Sequence, residues 1–317
     1  MSTPLRIYDL LDLFRNEYSS SGSVFNIRRN RKWISYSAGD YVELSDRIGR
    51  GLIAMGVKRG DKVATILLNC PEWNFFDMGI MQAGAVQVPI YPSLSEENYR
   101  YILNDANIGY LVISNQEIYN NIRGVLKDCP SIRGIFSIAN VKGVKNWDEI
   151  LKAGDSAQHK ELLDKRKSET VPTDLATIIY TSGTTGRPKG VMLSHSNFIS
   201  NFTACAEIPD LKPGDRALSF LPLCHVYERM LNYVYQSLGM SIFYAESIDK
   251  LIENIREVRP HTFATGPRVL EKIYDRMIAR ARTKRFVSKM LFFWALRLGH
   301  QYELGNVKSR VEKVRSF

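Results

Sequence analysis

The sequence lacks several features that would define its class at once. Its four cysteines, Cys70, Cys129, Cys205 and Cys224, are far apart and form no CxxC pair. This spacing argues against a disulfide framework or a structural zinc site and suits a reducing cytoplasm. The first residues contain acidic side chains where a signal peptide needs an apolar core. The longest apolar run near the end, MLFFWAL, is far too short to cross a bilayer. These absences predict a soluble, cytoplasmic protein.

Well-known nucleotide-binding and catalytic motifs are also absent. The sequence contains no GxGxxG stretch, no GxSxG elbow and no HExxH pair. A Walker pattern starting at Gly183 requires a glycine at position 188, which is Pro188. The chain is therefore not a classical Rossmann, P-loop, serine hydrolase or zinc protease sequence.

Positive charge is concentrated in one stretch. The formal net charge is +10, but residues 280–317 contain ten Lys or Arg against two Glu, so the remainder is almost neutral. A general nucleic-acid surface is not indicated. Residues 282–300 form a basic amphipathic stretch with Phe286, Met290, Phe293, Trp294 and Leu298 near one face. Two alternatives stay open for it, namely contact with an anionic membrane surface and packing against another lobe.

Strand-like and helix-like patterns alternate along the chain. The apolar runs at 63–68 (VATILL), 85–90 (AVQVPI) and 109–114 (GYLVIS) are separated by helical segments. Ser37 and Asp40 have the spacing of a helix capping box. Alternation of this kind is typical of parallel sheets covered on both faces. The sequence therefore predicts an α/β fold with layered sheets flanked by helices.

A charged segment divides this pattern. We predict a first α/β lobe over residues 1–152, a charged surface connection over 153–174 and a second, incomplete α/β lobe over 175–317. The second lobe ends in a helix with Pro267 in its first turn. The apolar residues of this helix that we expect to face inward are Val269, Leu270, Ile273, Tyr274 and Met277.

The most informative segment is YTSGTTGRPKG at 180–190, which directly follows the buried strand LATII. Glycines permit turns and close approach of a ligand, hydroxyls can donate hydrogen bonds, and a lysine adds a compact cation. Together they predict a cradle for a di- or triphosphate. The simpler alternative is a glycine-rich surface turn. The residues assigned to the cradle are Thr181, Ser182, Gly183, Thr184, Thr185, Gly186 and Lys189.

The stretch YTSGTTGRPKGVMLSH resembles the phosphate-binding signature of the adenylate-forming (AMP-binding) superfamily. FLPLCHVYERM at 220–230 and GPRVLEKIYDRM at 266–277 resemble segments of its long-chain fatty acyl-CoA synthetase branch. The likeness covers nearly the whole chain. It implies a two-step ligase, in which a fatty acid carboxylate attacks the α-phosphate of ATP to give an acyl-adenylate and pyrophosphate. The thiol of coenzyme A then displaces AMP.

The resemblance also implies roles for single residues. Residues 181–185 and Lys189 would bind the β- and γ-phosphates, and the hydroxyl of Thr184 would contact Mg²⁺. His225 would lie near the adenylate and the acyl pocket, with helix capping or core packing as the alternative. We therefore predict Thr184, Lys189 and His225 as the residues closest to the chemistry.

Four other residues are assigned less directly. His195 is expected to be structural, and Glu228 and Arg229 could form one buried pair that fixes a helix. For Arg268, substrate contact and helix capping both stay open.

Members of this superfamily are longer than 317 residues. The resemblance implies that the C-terminal lid domain, with the lysine used in adenylation, is missing from this chain. We therefore expect an N-terminal fragment that alone does not turn over. Two alternatives to a long-chain ligase stay open: an adenylating enzyme for aryl, short-chain or amino acids, and a non-catalytic nucleotide- or lipid-binding module.

Overall fold

The computed structural model describes residues 4–20, 22–181, 187–208 and 210–300. The chain divides into two compact units, one ending at Ala264 and the other beginning at Thr265.

The first unit contains two sheets. One has the strand order β7-β6-β5-β3-β4-β8-β9 and is parallel except for the edge strand β9; the other has the order β10-β11-β1-β2 and is parallel except for β2. The predicted α/β architecture is confirmed. The strands are β1 (Ser23–Arg29), β2 (Lys32–Ser37), β3 (Lys62–Ile66), β4 (Val86–Pro89), β5 (Ile108–Ile113), β6 (Gly134–Ser137), β7 (Lys145–Asn146), β8 (Leu175–Thr181), β9 (Lys189–Ser194), β10 (Arg216–Ser219) and β11 (Ser241–Tyr244).

Helices connect most of these strands. The predicted capping box is present, since the Ser37 hydroxyl accepts the Asp40 amide at 3.1 Å and the Asp40 carboxylate accepts the Ser37 amide at 2.8 Å. The helices of the first unit are α1 (Leu10–Asn16), α2 (Ala38–Ala54), α3 (Pro71–Gln82), α4 (Glu96–Asp105), α5 (Gln116–Ile122), α6 (Asp148–Ala153), α7 (Ala157–Glu169), α8 (His195–Ala206), α9 (Val226–Ser237) and α10 (Leu251–Val258).

The seven-stranded sheet is covered on both faces. Val63 of β3 belongs to one core with α3, and its neighbour Ala64 belongs to a second core with α4. The first core also contains Phe25 and Ile242 of the four-stranded sheet, and α3 is buried along its whole length. The connections after β3 and β4 thus cross opposite faces of the sheet. Open α/β sheets form ligand crevices at the carboxyl ends of strands beside such a reversal.

The predicted division into lobes does not separate the two sheets. Strands from before and after residues 153–174 contribute to both of them. Most of this segment is the helix α7, whose charged residues cover its exposed side while Leu163 is buried. Arg166 of α7 donates to the carbonyls of Val57 and Ala83, both at 2.8 Å.

The second unit contains α11 (Pro267–Arg282) and α12 (Phe286–His300). Pro267 lies in the first turn of α11, as predicted. The expectation that the apolar face of α11 is buried is wrong for Leu270, Tyr274 and Met277, which are exposed. Helical spacing determines which residues share a face, but it does not determine whether another element covers that face.

Candidate functional site

A cleft of about 380 Å³ opens at the carboxyl ends of β4 and β8. It brings together two residues that the sequence assigned to the site, Thr181 and His225, from distant parts of the chain. Its lining combines a largely apolar wall with a few polar groups. The lining residues are Pro89, Ile90, Tyr91, Leu94, Asn98, Ile102, Ile179, Tyr180, Thr181, Pro188, His225 and Val226.

The polar end of the cleft is the hairpin of β8 and β9. Thr181 lies opposite Lys189 in this antiparallel pair, and both residues are exposed. Gly190 lies opposite Tyr180, where a Cβ atom would come within 2.8 Å of the Ile178 side chain and 3.2 Å of the Tyr180 ring. Glycine at this position therefore lets the two strands pair closely. The other predicted cradle residues lie outside the described residues, so their contacts stay a prediction; they are Ser182, Gly183, Thr184, Thr185 and Gly186.

Both sides of the hairpin are attached to α4. The hydroxyl of Tyr180 donates to the Asp105 carboxylate at 2.5 Å. The Arg187 guanidinium lies over the Tyr101 ring, 5.8 Å from its centroid, at the distance of a cation–π contact. These contacts hold the last residues before and the first described residues after the cradle segment beside the cleft.

His225 is positioned by a loop that Asn69, just beyond β3, holds in place. The Asn69 side chain donates to the Leu221 carbonyl at 2.7 Å and accepts from the Leu223 amide at 3.0 Å. His225 is the N-cap of α9, because its Nδ1 accepts from the Tyr227 amide at 3.2 Å. A neutral ring that accepts at Nδ1 carries its proton on Nε2, where it can donate. The capping alternative is therefore observed, and a role in chemistry stays a prediction.

Glu228 and Arg229 are both buried, but the expectation that they pair with each other is wrong. The Glu228 carboxyl accepts from the Ser219 hydroxyl at 2.5 Å, whereas Arg229 forms an ion pair with Asp77 at 2.6 Å. Consecutive helical residues point about 100° apart, which directs the two side chains to different neighbours. Burial raises the pKa of Glu228 to about 7.

His195 has the surroundings of a structural residue. Its side chain is buried, its Nδ1 accepts from the Ile7 amide at 3.2 Å, and its ring meets the Tyr8 ring edge-on at 5.6 Å. Burial lowers the pKa of His195 to about 4, so the ring is neutral near pH 7. These contacts agree with the structural role expected for it. Arg268, for which two readings stay open, lies exposed in the first turn of α11 in the second unit.

The described part of the chain has neither a metal-ligand cluster nor a membrane-spanning helix. Its residues contain no group of three or more His, Cys, Asp or Glu side chains that could hold a metal ion. The predicted magnesium contact, Thr184, lies outside that part. None of the described helices has the length and apolarity needed to span a bilayer. All four cysteines are free in the structure.

Several residues of the cleft were not recognised in the sequence. Pro89, Ile90 and Tyr91 stand at the carboxyl end of a strand, which is the signal that could have identified them. Ile102 belongs to a helix that follows, and no pattern in the sequence marks it as part of a cleft.

Comparison with known proteins identifies the family to which the chain belongs. Residues 18–306 match the family model described as AMP-binding enzyme. The chain therefore belongs to the AMP-binding enzyme family. It is 33% identical to the peroxisomal long chain acyl-CoA synthetase 7 of Arabidopsis thaliana, over 82% of this chain and 38% of that protein. It is 35% identical to the long-chain-fatty-acid–CoA ligase FadD15 of Mycobacterium bovis, over 71% of this chain and 38% of that protein.

Solved structures show the same fold. The long-chain-fatty-acid-CoA ligase FadD1 of Archaeoglobus fulgidus superposes with a TM-score of 0.75 at 21% identity, over 90% of this chain and 55% of that one. The N-terminal domain of FACL13 from Mycobacterium tuberculosis gives a TM-score of 0.70 at 23% identity, over 84% and 64%. The present chain spans about two fifths of the length of the curated relatives named above.

Proposed function

We propose that this chain forms the ATP-binding and acyl-binding part of a long-chain fatty acid–CoA ligase. The observation that carries the proposal is the cleft at the ends of β4 and β8, where the Thr181–Lys189 hairpin meets an apolar wall. The polar hairpin, which carries Lys189 beside the cleft, suits a polyphosphate, and the apolar wall suits an acyl chain. Relatives named as long-chain acyl-CoA synthetases or ligases support this choice of acid.

The proposed reaction has two steps. The fatty acid carboxylate oxygen forms a bond to the α-phosphorus of ATP as the bond to pyrophosphate breaks, which gives the acyl-adenylate. The sulfur of coenzyme A then attacks the acyl carbonyl, AMP leaves and a thioester remains. In the first step Lys189 and the hydroxyls of Thr181, Ser182, Thr184 and Thr185 stabilise the charge that develops on pyrophosphate. His225 lines the cleft and uses Nδ1 as the cap of α9, and in this proposal its Nε2 donates a hydrogen bond to the acid or the adenylate.

Magnesium, when bound with ATP, would neutralise phosphate charge. Thr184 is the residue of this chain proposed to contact it through its hydroxyl. The described residues contain no acidic cluster for the ion, so its remaining ligands would come from the nucleotide, water or further sequence.

The proposal includes partners beyond the described site. A C-terminal lid domain would complete the enzyme in a longer product of the gene, in keeping with the greater length of the relatives. We place the enzyme in the cytoplasm with peripheral membrane contact through residues 282–300. Exposed Phe286, Met290 and Trp294 on α12, together with nearby Lys and Arg residues, support that contact.

The test of this function is fatty-acid-dependent ATP–pyrophosphate exchange by the longest product of the gene, with acetate, octanoate, palmitate and benzoate as acids. We expect palmitate to give the highest kcat/KM, and Lys189→Ala to lower it at least 100-fold. Because Lys189 is exposed, the free energy of unfolding should stay within about 0.5 kcal/mol of the wild type.

Lys160→Ala is the matched control, because Lys160 is an exposed lysine on α7, away from the cleft lining. Highest activity with benzoate or acetate would favour another adenylating enzyme, and no exchange with any acid would favour a binding module. The 317-residue chain alone is expected to give no turnover. Exchange by that chain at the rate of the longer product would contradict the need for a lid.

A further inference from the structure

The interior beneath the cleft contains a polar cluster around Arg229. This guanidinium is fully buried and forms hydrogen bonds to three side chains from three elements of the fold. It pairs with Asp77 of α3 at 2.6 Å and donates to the Thr177 hydroxyl of β8 at 2.8 Å and to the Tyr233 hydroxyl of α9 at 2.7 Å. Tyr233 in turn donates to the second Asp77 oxygen at 2.6 Å. Burial alone would lower the pKa of Arg229, but Asp77 and Tyr233 hold it above its ordinary value, so the group stays charged.

The same cluster joins the walls of the cleft. Thr177 lies four residues before Thr181 on β8 and, because strand side chains alternate, on the same side of the strand. Arg229 lies one helical turn after His225, and its amide donates to the His225 carbonyl at 3.1 Å. The Thr177 hydroxyl also donates to the Gln87 carbonyl of β4 at 2.7 Å.

The three elements that form the cleft wall are therefore linked by hydrogen bonds of two side chains, those of Thr177 and Arg229. The β4 wall is connected through Gln87, the β8 wall through Thr177, and the start of α9 through Arg229. A planar guanidinium fixes direction as well as distance, which apolar packing does not do. A buried ion pair often adds little to stability compared with apolar side chains of similar volume. Arg229 therefore differs from a hydrophobic residue mainly in fixing the positions of its neighbours, and less in the stability that it adds.

We propose that Arg229 is a positioning residue: through Thr177 it sets the separation of His225 and Thr181 across the cleft. The proposal rests on the function proposed for that cleft and deepens it. It attributes no contact with substrate to Arg229.

The first test uses two substitutions of Thr177 in the longest product of the gene. Thr177→Val removes the hydroxyl that joins β8 to Arg229, and Thr177→Ser keeps it. We expect Thr177→Val to lower kcat for palmitate-dependent exchange at least tenfold, with KM for ATP changed less than threefold. Thr177→Ser should stay within threefold of the wild type in both parameters. Equal kcat for the valine and serine variants would overturn the proposal.

A second test separates positioning from stability. Arg229→Met leaves Asp77 buried without its cation, so it is expected to fold poorly. The triple variant Asp77→Leu, Arg229→Met, Tyr233→Phe replaces these three polar side chains with apolar ones of similar size and leaves Thr177 bonded to the Gln87 carbonyl. We expect this variant to regain most of the thermal stability lost by the single one while kcat stays at least tenfold below wild type. Wild-type kcat in the triple variant would mean that Arg229 serves only the core.

A control for general destabilisation is Arg29→Met. It breaks the ion pair of Arg29 with buried Glu72, at 2.6 Å, and neither residue is among those that line the cleft. We expect it to lower the melting temperature with kcat unchanged within threefold. A tenfold loss of kcat in this variant would show that any weakening of the core has the same effect, and the proposal would fall.

Amide hydrogen exchange on the ligand-free protein distinguishes this inference from the proposed function. Thr177→Val should accelerate exchange of the Arg229 and Met230 amides in the first turns of α9 at least tenfold, and Thr177→Ser should not. If the wild type catalyses no ATP–pyrophosphate exchange with any acid, the proposed function fails. Amide hydrogen exchange then still decides whether β8 and α9 are coupled. Unchanged protection in Thr177→Val overturns the positioning role even in an active enzyme.

Discussion

Helices α9 and α12 both depart from the usual rule that charged side chains are exposed and apolar side chains are buried. Helix α9 buries two charged residues, Glu228 and Arg229, whereas α12 exposes Phe286 and Trp294, which are 79% and 58% accessible. Both buried side chains of α9 have hydrogen-bond partners, whereas the two apolar side chains of α12 are exposed. The difference indicates that polar groups in the core fix geometry, while apolar groups on the surface are available to another molecule or segment.

The largest effect is expected where a buried charge loses its partner. Arg229→Met should lower the free energy of unfolding by about 3–5 kcal/mol, because Asp77 would remain in the core without a cation. The triple apolar variant should recover most of this loss. Urea unfolding of the three proteins measures both effects. If the single and triple variants lose similar amounts of unfolding free energy, the ion pair itself stabilises the core. That result would contradict the view that the buried polar groups of α9 mainly fix geometry.

The next effect concerns two buried groups with opposite pH dependence. The folded-state pKa of Glu228 is about 7, above its ordinary 4.5, so the folded state binds the extra proton and stability falls as pH rises through this window. The folded-state pKa of His195 is about 4, below its ordinary 6.5, so the unfolded state binds the proton and stability rises with pH. Across its own pH window, each group changes the free energy of unfolding by up to about 3 kcal/mol. The two changes have opposite signs and nearly cancel between pH 4.5 and 6.5.

Single substitutions should reveal each component. Glu228→Gln should leave a stability that increases with pH between 4.5 and 6.5, and His195→Asn should leave one that decreases. Urea unfolding at half-unit pH steps measures the slopes. Slopes parallel to the wild type in both variants would contradict the assigned protonation of these two groups.

The smallest effect on stability is expected on α12. The double variant Phe286→Ser, Trp294→Ser should change the free energy of unfolding by no more than about 0.5 kcal/mol, because both side chains are exposed. Its binding to vesicles containing anionic phosphatidylserine should fall at least fivefold relative to wild type, with vesicles of phosphatidylcholine alone as the control. Wild-type protein that does not bind the anionic vesicles would remove the membrane contact from the proposal.

The sequence predicts most of the sheet that carries the cleft. Apolar runs located β3, β4, β5 and β8 to within two residues at either end, because buried parallel strands are continuous apolar segments between turns. The capping spacing of Ser37 and Asp40 located the start of α2 for an equally local reason.

The parts that depend on distant contacts could not be predicted in the same way. Asp77 and Thr177 look like ordinary polar residues in the sequence, and only the packing of α3, β8 and α9 brings them to Arg229. The exposure of Leu270 on α11 depends on what lies beside the helix, which periodicity does not encode. His225 was found through its motif, but its capping bond required the backbone.

The pairing of Gly190 with Tyr180 also restricts how the hairpin can rearrange. If β9 slipped by one residue along β8, Lys189 or Val191 would bring a Cβ atom to the position where the Tyr180 ring and the Ile178 methyl leave no room. The hairpin therefore has a sterically locked register. A change in the number of residues between Thr181 and Lys189 would therefore leave the pairing of the two strands unchanged.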